Sequence, residues 1–256
     1  MDNNILSISG GKDSTAMLIE MLERNERIHS AIFVDTGWEF PEMYDHIDQL
    51  ERYTGVKIWT LHPQLPFDWW AIGRPVRSGK DRPDIGVKKG EIFRIGNGWP
   101  SPSRRWCTRE KVRAIDRFCA PISSPVQCVG YAADEKDRAF NRSNIKHRFP
   151  LQEYNITEKR ALEICKAHGF DWGGLYEHFD RVSCFCCPLQ RIGALRKIRK
   201  YFPELWARML DMERQMAANR GFRDDKTVHD LDMRFAAEDR QMKLTFKWSC
   251  EISVNA

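Results

Sequence analysis

The 256-residue sequence contains no apolar run of membrane-spanning length, no internal repeat and no low-complexity segment. Its first residues, MDNNILS, lack the basic and apolar regions of a signal peptide. These absences favour a cytoplasmic protein without membrane contact, in which cysteines are not expected to form structural disulfides. Hydrophobic residues make up 42% and charged residues 30%, as in a globular protein with a core. The net charge of +5 permits an anionic ligand or nucleic acid without demonstrating either.

Residues 5–14, ILSISGGKDS, place two glycines between an apolar run and an amphipathic pattern. The run at 5–9 predicts a strand and the pattern at 13–25 predicts a helix. Glycines at such a turn allow positive φ and a close approach of backbone N–H groups to a ligand, and the helix N-terminus favours an anion. We therefore predict a phosphate site; the alternative is a plain glycine turn in which Asp13 or Ser14 caps the helix. The predicted phosphate-binding residues are Ser9, Gly10, Gly11, Lys12, Asp13 and Ser14, with Lys12 and Asp13 also catalytic.

Strands and helices are predicted to alternate along the chain. Apolar runs at 29–34, 56–61 and 126–130 predict further strands, and amphipathic patterns at 41–53 and 157–168 predict helices. Such alternation indicates an α/β fold with a doubly wound, mainly parallel sheet, which binds ligands beyond the carboxyl ends of its strands.

Several segments resemble one known family. SGGKDS is not a Walker A motif but resembles the PP-loop of the ATP pyrophosphatase superfamily. DTGWEFPE, GYAADEKDRA and FPLQEYNITEKRALEI then follow in the order found in the phosphoadenosine phosphosulfate (PAPS) reductase-like family, above all its cysteine-rich phage and bacterial members. The resemblance implies an adenine nucleotide alpha hydrolase-like fold that binds ATP or another adenosine phosphate, with Mg²⁺ as a further cofactor. It also implies nucleotide contacts from Asp35, Thr36, Gly130, Asp134 and Arg138.

We expect two domains. Residues 1–155 would form the nucleotide-binding α/β domain, with an irregular insertion at 62–105, and residues 156–256 a cysteine-bearing, mainly helical subdomain. The insertion is rich in proline, glycine, tryptophan and basic residues, and either binds nucleic acid or is an ordinary solvated loop. The basic helix face at 191–200 leaves the same alternatives, with a solvated face favoured. The alternation at 243–256 predicts a terminal strand.

The cysteines carry the second strong pattern. Cys184 and Cys187 form a C-x-x-C with Cys186 between them, and Cys107 lies among arginines that favour its thiolate form. The family resemblance implies Cys107, Cys184 and Cys187 as three ligands, with Cys186 as a possible fourth. A [4Fe–4S] cluster is favoured over zinc, a metal-free redox pair and a buried turn. Lone cysteines are more typical of a core, and these are Cys119, Cys128 and Cys165.

Two reaction classes fit the family. In the first, ATP adenylates an oxygen of an acceptor such as tRNA or DNA, and sulfur from a cluster displaces AMP; Cys107 would take part. In the second, a thiol reduces a sulfonucleotide, PAPS or adenosine phosphosulfate, to sulfite. A non-catalytic nucleotide-binding protein is the third possibility. Thioredoxin-dependent PAPS reductases end in a Glu-Cys-Gly-Leu-His tail, where this chain has Cys250-Glu251-Ile252, which favours the first class. A sulfur-donor protein or thioredoxin would be the protein partner, and the oligomeric state is left open, a dimer included.

Overall fold

The computed structural model describes residues 2–135, 145–217, 221–223 and 225–254, with side chains as far as residue 241. These residues group into two compact units, Met1–Phe67 with Trp106–Phe185, and Asp68–Arg105 with Cys186–Ala256. The bounds of these units differ from the predicted domains 1–155 and 156–256. Whether those two segments fold as separate domains stays a prediction.

Strands and helices alternate through the first unit, and helices dominate the second. The strands are β1 Asn3–Ile8, β2 Ser30–Val34, β3 Ile58–Leu61, β4 Pro75–Arg77, β5 Ile92–Ile95, β6 Pro125–Val129 and β7 Lys146–Arg148. The helices are α1 Lys12–Glu23, α2 Pro41–Thr54, α3 Trp106–Cys119, α4 Pro150–Glu153, α5 Glu158–Ala167, α6 Leu175–His178, α7 Ile192–Tyr201, α8 Pro203–Arg214 and α9 Val228–Val254. The strands and helices predicted at 5–61, 126–130 and 157–168 are present, with ends shifted by at most two residues.

The first unit is built on a five-stranded sheet in the order β3-β2-β1-β6-β7, in which every neighbouring pair is parallel. The central strand is an apolar run because both of its faces are covered; Ile5 and Leu6 have no exposed surface. The chain continues from β1 to β2 on one side of the sheet and from β6 to β7 on the other. The two connections therefore leave a crevice at the carboxyl ends of β1 and β6. The predicted α/β class with a doubly wound parallel sheet is confirmed.

Local sequence explains where the helices of this unit begin and end. Pro41 occupies the first turn of α2, where a missing N–H costs nothing, and Gly55 ends the helix at a φ of +68°. Thr157 caps α5, with its hydroxyl accepting a hydrogen bond from the Arg160 backbone N–H at 3.3 Å. Both boundaries follow from residue types that the sequence shows directly.

The second unit packs α7, α8 and α9 around an apolar core and also contains an antiparallel β4–β5 pair. The ring of Trp206 on α8 lies 5.9 Å from that of Phe235 on α9. Trp99 Nε1 donates to the buried Glu213 Oε1 at 3.0 Å, and the same oxygen accepts from the Val228 N–H, which fixes the start of α9.

The prediction of a terminal strand at 243–256 was wrong, because the backbone there continues α9 as far as Val254. Residues 228–254 contain neither glycine nor proline, so nothing stops a helix that has already formed upstream. Among the described residues, no helix has the length and apolar character needed to cross a membrane.

Candidate functional site

The loop between β1 and α1 forms a compact cradle held by its own serines. Ser14 Oγ lies 3.1 Å from the Ser9 backbone N and from Ser9 Oγ, and it donates to the Gly11 carbonyl at 3.0 Å. Gly10 has a φ of +79°, whereas Gly11 has an ordinary φ of −79° and is the first residue before the helix. The expectation of positive φ is therefore correct for Gly10 and wrong for Gly11. No side chain caps α1, so neither Asp13 nor Ser14 acts as a cap.

Side chains that are distant in sequence form hydrogen bonds with the backbone of this loop. Trp172 Nε1 donates to the Gly10 carbonyl at 2.7 Å, and the Cys165 thiol donates to the Lys12 carbonyl at 3.3 Å. The hydroxyl of Tyr176 accepts from the Lys12 backbone N–H at 2.8 Å. These contacts fix backbone groups on which a phosphate site depends.

The loop after β6 approaches the start of α1 so closely that a side chain at Gly130 would force its backbone neighbours to shift. A Cβ atom at Gly130 would lie 3.0 Å from the Asp13 carbonyl carbon and oxygen and from the Ser14 Cα. Both loops thus meet at the crevice where the strand order reverses. This placement is the usual ligand position in a doubly wound sheet.

A cavity of about 280 Å³ opens at this point, comparable in volume with the smaller ligand pockets of proteins. Its polar lining residues are Ser7, Ser9, Lys12, Asp13, Ser14, Lys111, Tyr131, Glu135, Tyr176 and Arg181, beside Gly11 and Gly130. Serine hydroxyls, backbone amides and three basic side chains suit phosphate groups, while the two carboxylates suit a bound cation.

Lys12 and Asp13 form a buried charged group at the cavity wall. Lys12 Nζ lies 2.7 Å from Glu158 Oε2 and 3.2 Å from Asp13 Oδ2. Burial raises the pKa of Asp13 to about 6, although Lys12 opposes that shift. Burial lowers the pKa of Lys12, but the carboxylates of Asp13 and Glu158 outweigh it and leave that pKa raised. Asp13 Oδ1 is buried and has no hydrogen-bond partner among the described residues.

A second charged group includes one of the predicted cysteines. Glu39 Oε1 accepts hydrogen bonds from Lys111 Nζ at 2.9 Å, from Thr36 Oγ1 at 3.1 Å and from Cys184 Sγ at 3.3 Å. Lys111 Nζ lies 3.6 Å from Cys184 Sγ. Burial lowers the pKa of Lys111, but Cys184 and Glu39 outweigh it, so this pKa is raised and the amine stays protonated.

Aromatic packing places Cys184 beside Glu39. The neighbouring Phe185 is fully buried, with its ring 5.1 Å from that of Trp38 and 6.0 Å from that of Phe40. Its backbone N–H donates to the Trp38 carbonyl at 3.1 Å. The segment that carries the thiol is thereby fixed against the segment that carries the carboxylate.

The structure distributes the predicted nucleotide residues unevenly. Ser9, Gly11, Lys12, Asp13, Ser14 and Gly130 line the cavity, whereas Gly10, Asp35, Thr36 and Asp134 do not. Asp35 Oδ1 accepts from the Gly37 N–H at 2.6 Å and from the Tyr44 hydroxyl at 2.7 Å. Asp134 Oδ1 accepts from the Glu158 N–H at 3.1 Å, at the start of α5. Arg138 lies outside the described residues, and the nucleotide contacts stay a prediction.

The predicted core cysteines are confirmed: Cys119, Cys128 and Cys165 are buried, and burial raises the pKa of each thiol. Cys107 is half-buried in the first turn of α3. Among the described residues, no three His, Cys, Asp or Glu side chains are grouped as ligands of a metal ion. The Cys184 thiol donates to Glu39 at 3.3 Å. The ligand set Cys107, Cys184 and Cys187, with Cys186 as a possible fourth, stays a prediction.

The sequence analysis did not identify several residues that lie near the loop in space but far from it in sequence. They are Glu39, Lys111, Glu135, Glu158, Tyr176 and Arg181. Tyr176 is separated from Lys12 by 164 positions and carries no local pattern. Glu39 lies within DTGWEFPE and Glu158 within NITEK, so both stood inside quoted motifs without being singled out.

Comparisons with known proteins give the following matches. Residues 3–74 match the family model described as phosphoadenosine phosphosulfate reductase domain. An uncharacterized protein of Methanocaldococcus jannaschii is 26% identical over 83% of this chain and 42% of its own length, so the chain spans less than half of that relative. An uncharacterized protein of Escherichia phage 186 is 26% identical over 84% of this chain and 75% of its own length. A crystal structure of PAPS reductase from Candida auris, a phosphate complex, matches with a TM-score of 0.47 and 16% identity, covering 69% of this chain and 78% of that chain.

Proposed function

We propose that this chain, which carries a PAPS reductase-family domain of the PP-loop superfamily in its N-terminal part, is an adenosine nucleotide-dependent enzyme of sulfur chemistry. Its reaction would be the ATP-dependent adenylation of an acceptor, followed by sulfur transfer to that acceptor. The nucleotide would occupy the cavity between the loops that follow β1 and β6, with its phosphates on the Ser9–Ser14 loop.

One observation carries the proposal: Lys111 both lines this cavity and lies 3.6 Å from the thiol sulfur of Cys184. A phosphate-binding loop alone would fit many nucleotide enzymes. The Cys184 thiol contacts a side chain that lines this cavity. This arrangement suits an enzyme in which sulfur reacts with a substrate that a nucleotide has activated.

The chemistry follows from the lining residues. An acceptor oxygen would attack the α-phosphorus of ATP, and pyrophosphate would leave against the loop amides and the basic side chains. Asp13, whose Oδ1 is buried without a partner among the described residues, and Glu135 both line this cavity. Their carboxylates would hold a Mg²⁺ ion that accompanies the nucleotide and offsets phosphate charge. Free hydrosulfide, held at the Lys111 ammonium group beside Cys184, would then attack the adenylated carbon of the acceptor. The carbon–sulfur bond forms as the carbon–oxygen bond to AMP breaks, and AMP leaves. No step runs through a cluster or zinc, because the described residues are not grouped as metal ligands.

Sulfonucleotide reduction is the second candidate, favoured by the family match of residues 3–74. In that reaction a thiolate attacks the sulfur of PAPS or adenosine phosphosulfate, and sulfite is released after reduction by a second thiol. Cys184 beside Lys111 would be the attacking group. The two candidates share the site and differ in whether the α–β bond of ATP is broken.

Two incubations separate the candidates. The first contains ATP, Mg²⁺, sulfide and bulk tRNA or DNA, and the second contains PAPS and reduced thioredoxin. We expect AMP and pyrophosphate in equal amounts in the first, dependent on both sulfide and acceptor, and little sulfite in the second.

Thiol variants complete the test. Cys184→Ser should lower sulfur incorporation, because hydrosulfide would be held at Lys111 beside this thiol, while Cys119→Ala, which removes a core thiol, should retain it. Rapid sulfite release in the second incubation, lost in Cys184→Ser or Cys250→Ala, would reject adenylation in favour of reduction. Absence of turnover in both, with intact nucleotide binding, would support a non-catalytic nucleotide-binding protein.

A further inference from the structure

The net charge of the chain is concentrated in one segment of the second unit. Residues 68–105 contain nine Lys and Arg but four Asp and Glu, a net charge of +5 that equals the net charge of the whole chain. The remaining residues are therefore balanced in charge. An uncompensated positive segment attracts polyanions, of which nucleic acids are the commonest.

More than half of this charge lies in a hairpin, which we call the basic hairpin (residues 75–95); its six Lys and Arg against three Asp and Glu give a net charge of +3. Its strands β4 and β5 pair antiparallel, and Ser78 extends the ladder with hydrogen bonds to the Glu91 carbonyl at 2.9 Å and from the Gly90 N–H at 2.8 Å. Within the connection, Arg82 and Val87 exchange two backbone hydrogen bonds of 2.7 and 3.1 Å. The basic side chains thus project from an ordered backbone, which itself has little freedom to lose on binding.

The acidic residues of the basic hairpin are mostly used by its own backbone. Asp81 Oδ1 accepts from the Lys89 N–H, and Glu91 Oε2 accepts from the Lys88 N–H, each at 2.8 Å. These carboxylates hold the turn, and their hydrogen bonds do not go to the lysine ammonium groups. Within the described ranges, the exposed ammonium groups of Lys80, Lys88 and Lys89 form no ion pair, so their charges remain available.

The basic hairpin also has a concave surface of a suitable kind. A cavity of about 580 Å³ is lined by Arg77, Lys80, Arg82 and Phe93 and also by Asp81 and Asp84, of which Asp84 pairs with Arg82 at 3.6 Å. The guanidinium carbon of Arg82 lies 5.1 Å from the centroid of the Phe93 ring. Guanidinium and aromatic planes beside free positive charges are the groups that contact bases and phosphates of nucleic acids.

The basic residues of α7 differ from those of the basic hairpin because two of them form ion pairs with another helix. On α7, Arg199 pairs with Asp232 at 2.7 Å and with Asp239 at 2.8 Å, and Arg196 pairs with Glu238. All three carboxylates belong to α9, so these two arginines of α7 are neutralised by a neighbouring helix and support helix packing. The comparison shows that a run of basic residues alone does not make a binding surface.

We propose that the basic hairpin binds the phosphate backbone of a nucleic acid, without reading its sequence. Charge complementarity selects this partner, because the available groups are three point charges on a rigid hairpin with an adjoining arginine and aromatic surface. The proposal is independent of the reaction assigned to the nucleotide cavity, since it requires no nucleotide and no turnover.

The test is fluorescence anisotropy of the full chain with labelled single-stranded DNA, duplex DNA and an RNA hairpin, without nucleotide, from about 50 to 200 mM salt. The triple variant Lys80→Ala, Lys88→Ala and Lys89→Ala should weaken binding at least about tenfold and lower the salt slope by about 2 to 3. The matched control is Lys146→Ala, Lys159→Ala and Lys166→Ala, three exposed lysines of the first unit with the same loss of charge. We expect the control to retain most of the affinity.

The probes distinguish the form of nucleic acid. A loss in Phe93→Leu that is confined to single strands would indicate base stacking at the cavity, whereas equal losses for single strand and duplex would indicate contacts to phosphate only. Both results support the proposal. Equal weakening by the two triple variants, or the absence of binding at the lowest salt, overturns it. So does displacement of the nucleic acid by polyglutamate at equal charge concentration, which would assign an acidic protein as the partner.

Discussion

Lys111 Nζ lies 3.6 Å from Cys184 Sγ, although 73 positions separate the two residues in the chain. Glu39 contacts both, which keeps the amine protonated beside the thiol. Because Lys111 also lines the cavity beside the Ser9–Ser14 loop, its ammonium group can stabilise negative charge on an anion bound there or on the sulfur of Cys184.

Lys111→Met should lower the rate of AMP formation about 10- to 100-fold, since a hydrogen bond to a charged group contributes about 1.5–3 kcal/mol. The measurement is kcat together with the dissociation constant of ATP, which should change less than kcat. Lys111→Arg retains the charge and should recover part of the rate. An unchanged kcat in a folded Lys111→Met protein would remove this residue from the mechanism.

Gly11→Ala should weaken ATP binding at least about tenfold by occupying the space that a phosphate needs beside the backbone. The fold should tolerate the change, because Gly11 has negative φ and a Cβ there would meet its nearest atom, Tyr176 Oη, at 3.5 Å. Calorimetry measures the affinity. The matched control is Gly193→Ala, whose Cβ would meet no atom within 4 Å; equal affinities in both variants would argue against phosphate binding at this loop.

His46→Gln should change how stability depends on pH. The His46 ring stacks 4.5 Å from that of Trp172, its Nε2 lies 2.8 Å from Thr15 Oγ1, and burial lowers its pKa to about 4. Between about pH 6.5 and 4 the unfolded chain binds a proton at His46 that the folded chain excludes, so the free energy of unfolding falls as pH falls. The loss is about 3 kcal/mol for a shift of this size.

Denaturant unfolding at several pH values checks this expectation. His46→Gln should be less stable than the wild type at pH 8 because the ring contacts are lost, and the difference should shrink as the pH falls through this window. The pKa of Asp13 is raised, so its own contribution to the free energy of unfolding increases as the pH falls. This contribution is the same in the wild type and in His46→Gln and cancels in the difference between them. The exposed His29→Gln should follow the wild type, and parallel curves for His46→Gln would show that His46 is not buried in neutral form.

Metal content tests the ligand set that the family resemblance implies. If this set holds a metal, then in protein purified without oxygen Cys107→Ala, Cys184→Ala and Cys187→Ala should each lose iron and sulfide, or zinc, whereas Cys186→Ala, a buried thiol, should retain the metal. Binding would require the Cys184 thiol to leave Glu39, so Glu39→Gln should alter metal content as well. Full metal content in Cys107→Ala together with loss in Cys186→Ala would contradict the assignment.

The sequence by itself determined the strand–loop–helix segment at 5–25, the parallel α/β class and the buried lone cysteines. A phosphate loop is contiguous in the chain, and strands and helices have periods that a sequence shows directly, so these features depend on neighbours within a few residues. The turn at Gly10 is also a local feature, because its positive φ is a backbone conformation that glycine adopts without strain.

Only the tertiary structure decided which side chains surround the loop. Tyr176 below Lys12, Glu39 between Lys111 and Cys184, and α9 as the partner of the basic face of α7 each join positions far apart in sequence. No periodicity specifies such pairs, because they depend on the packing of whole elements rather than on neighbouring residues. The same reason explains the error at 243–256: local alternation indicated a strand, but the segment continues a helix that begins at Val228 and is held by Glu213.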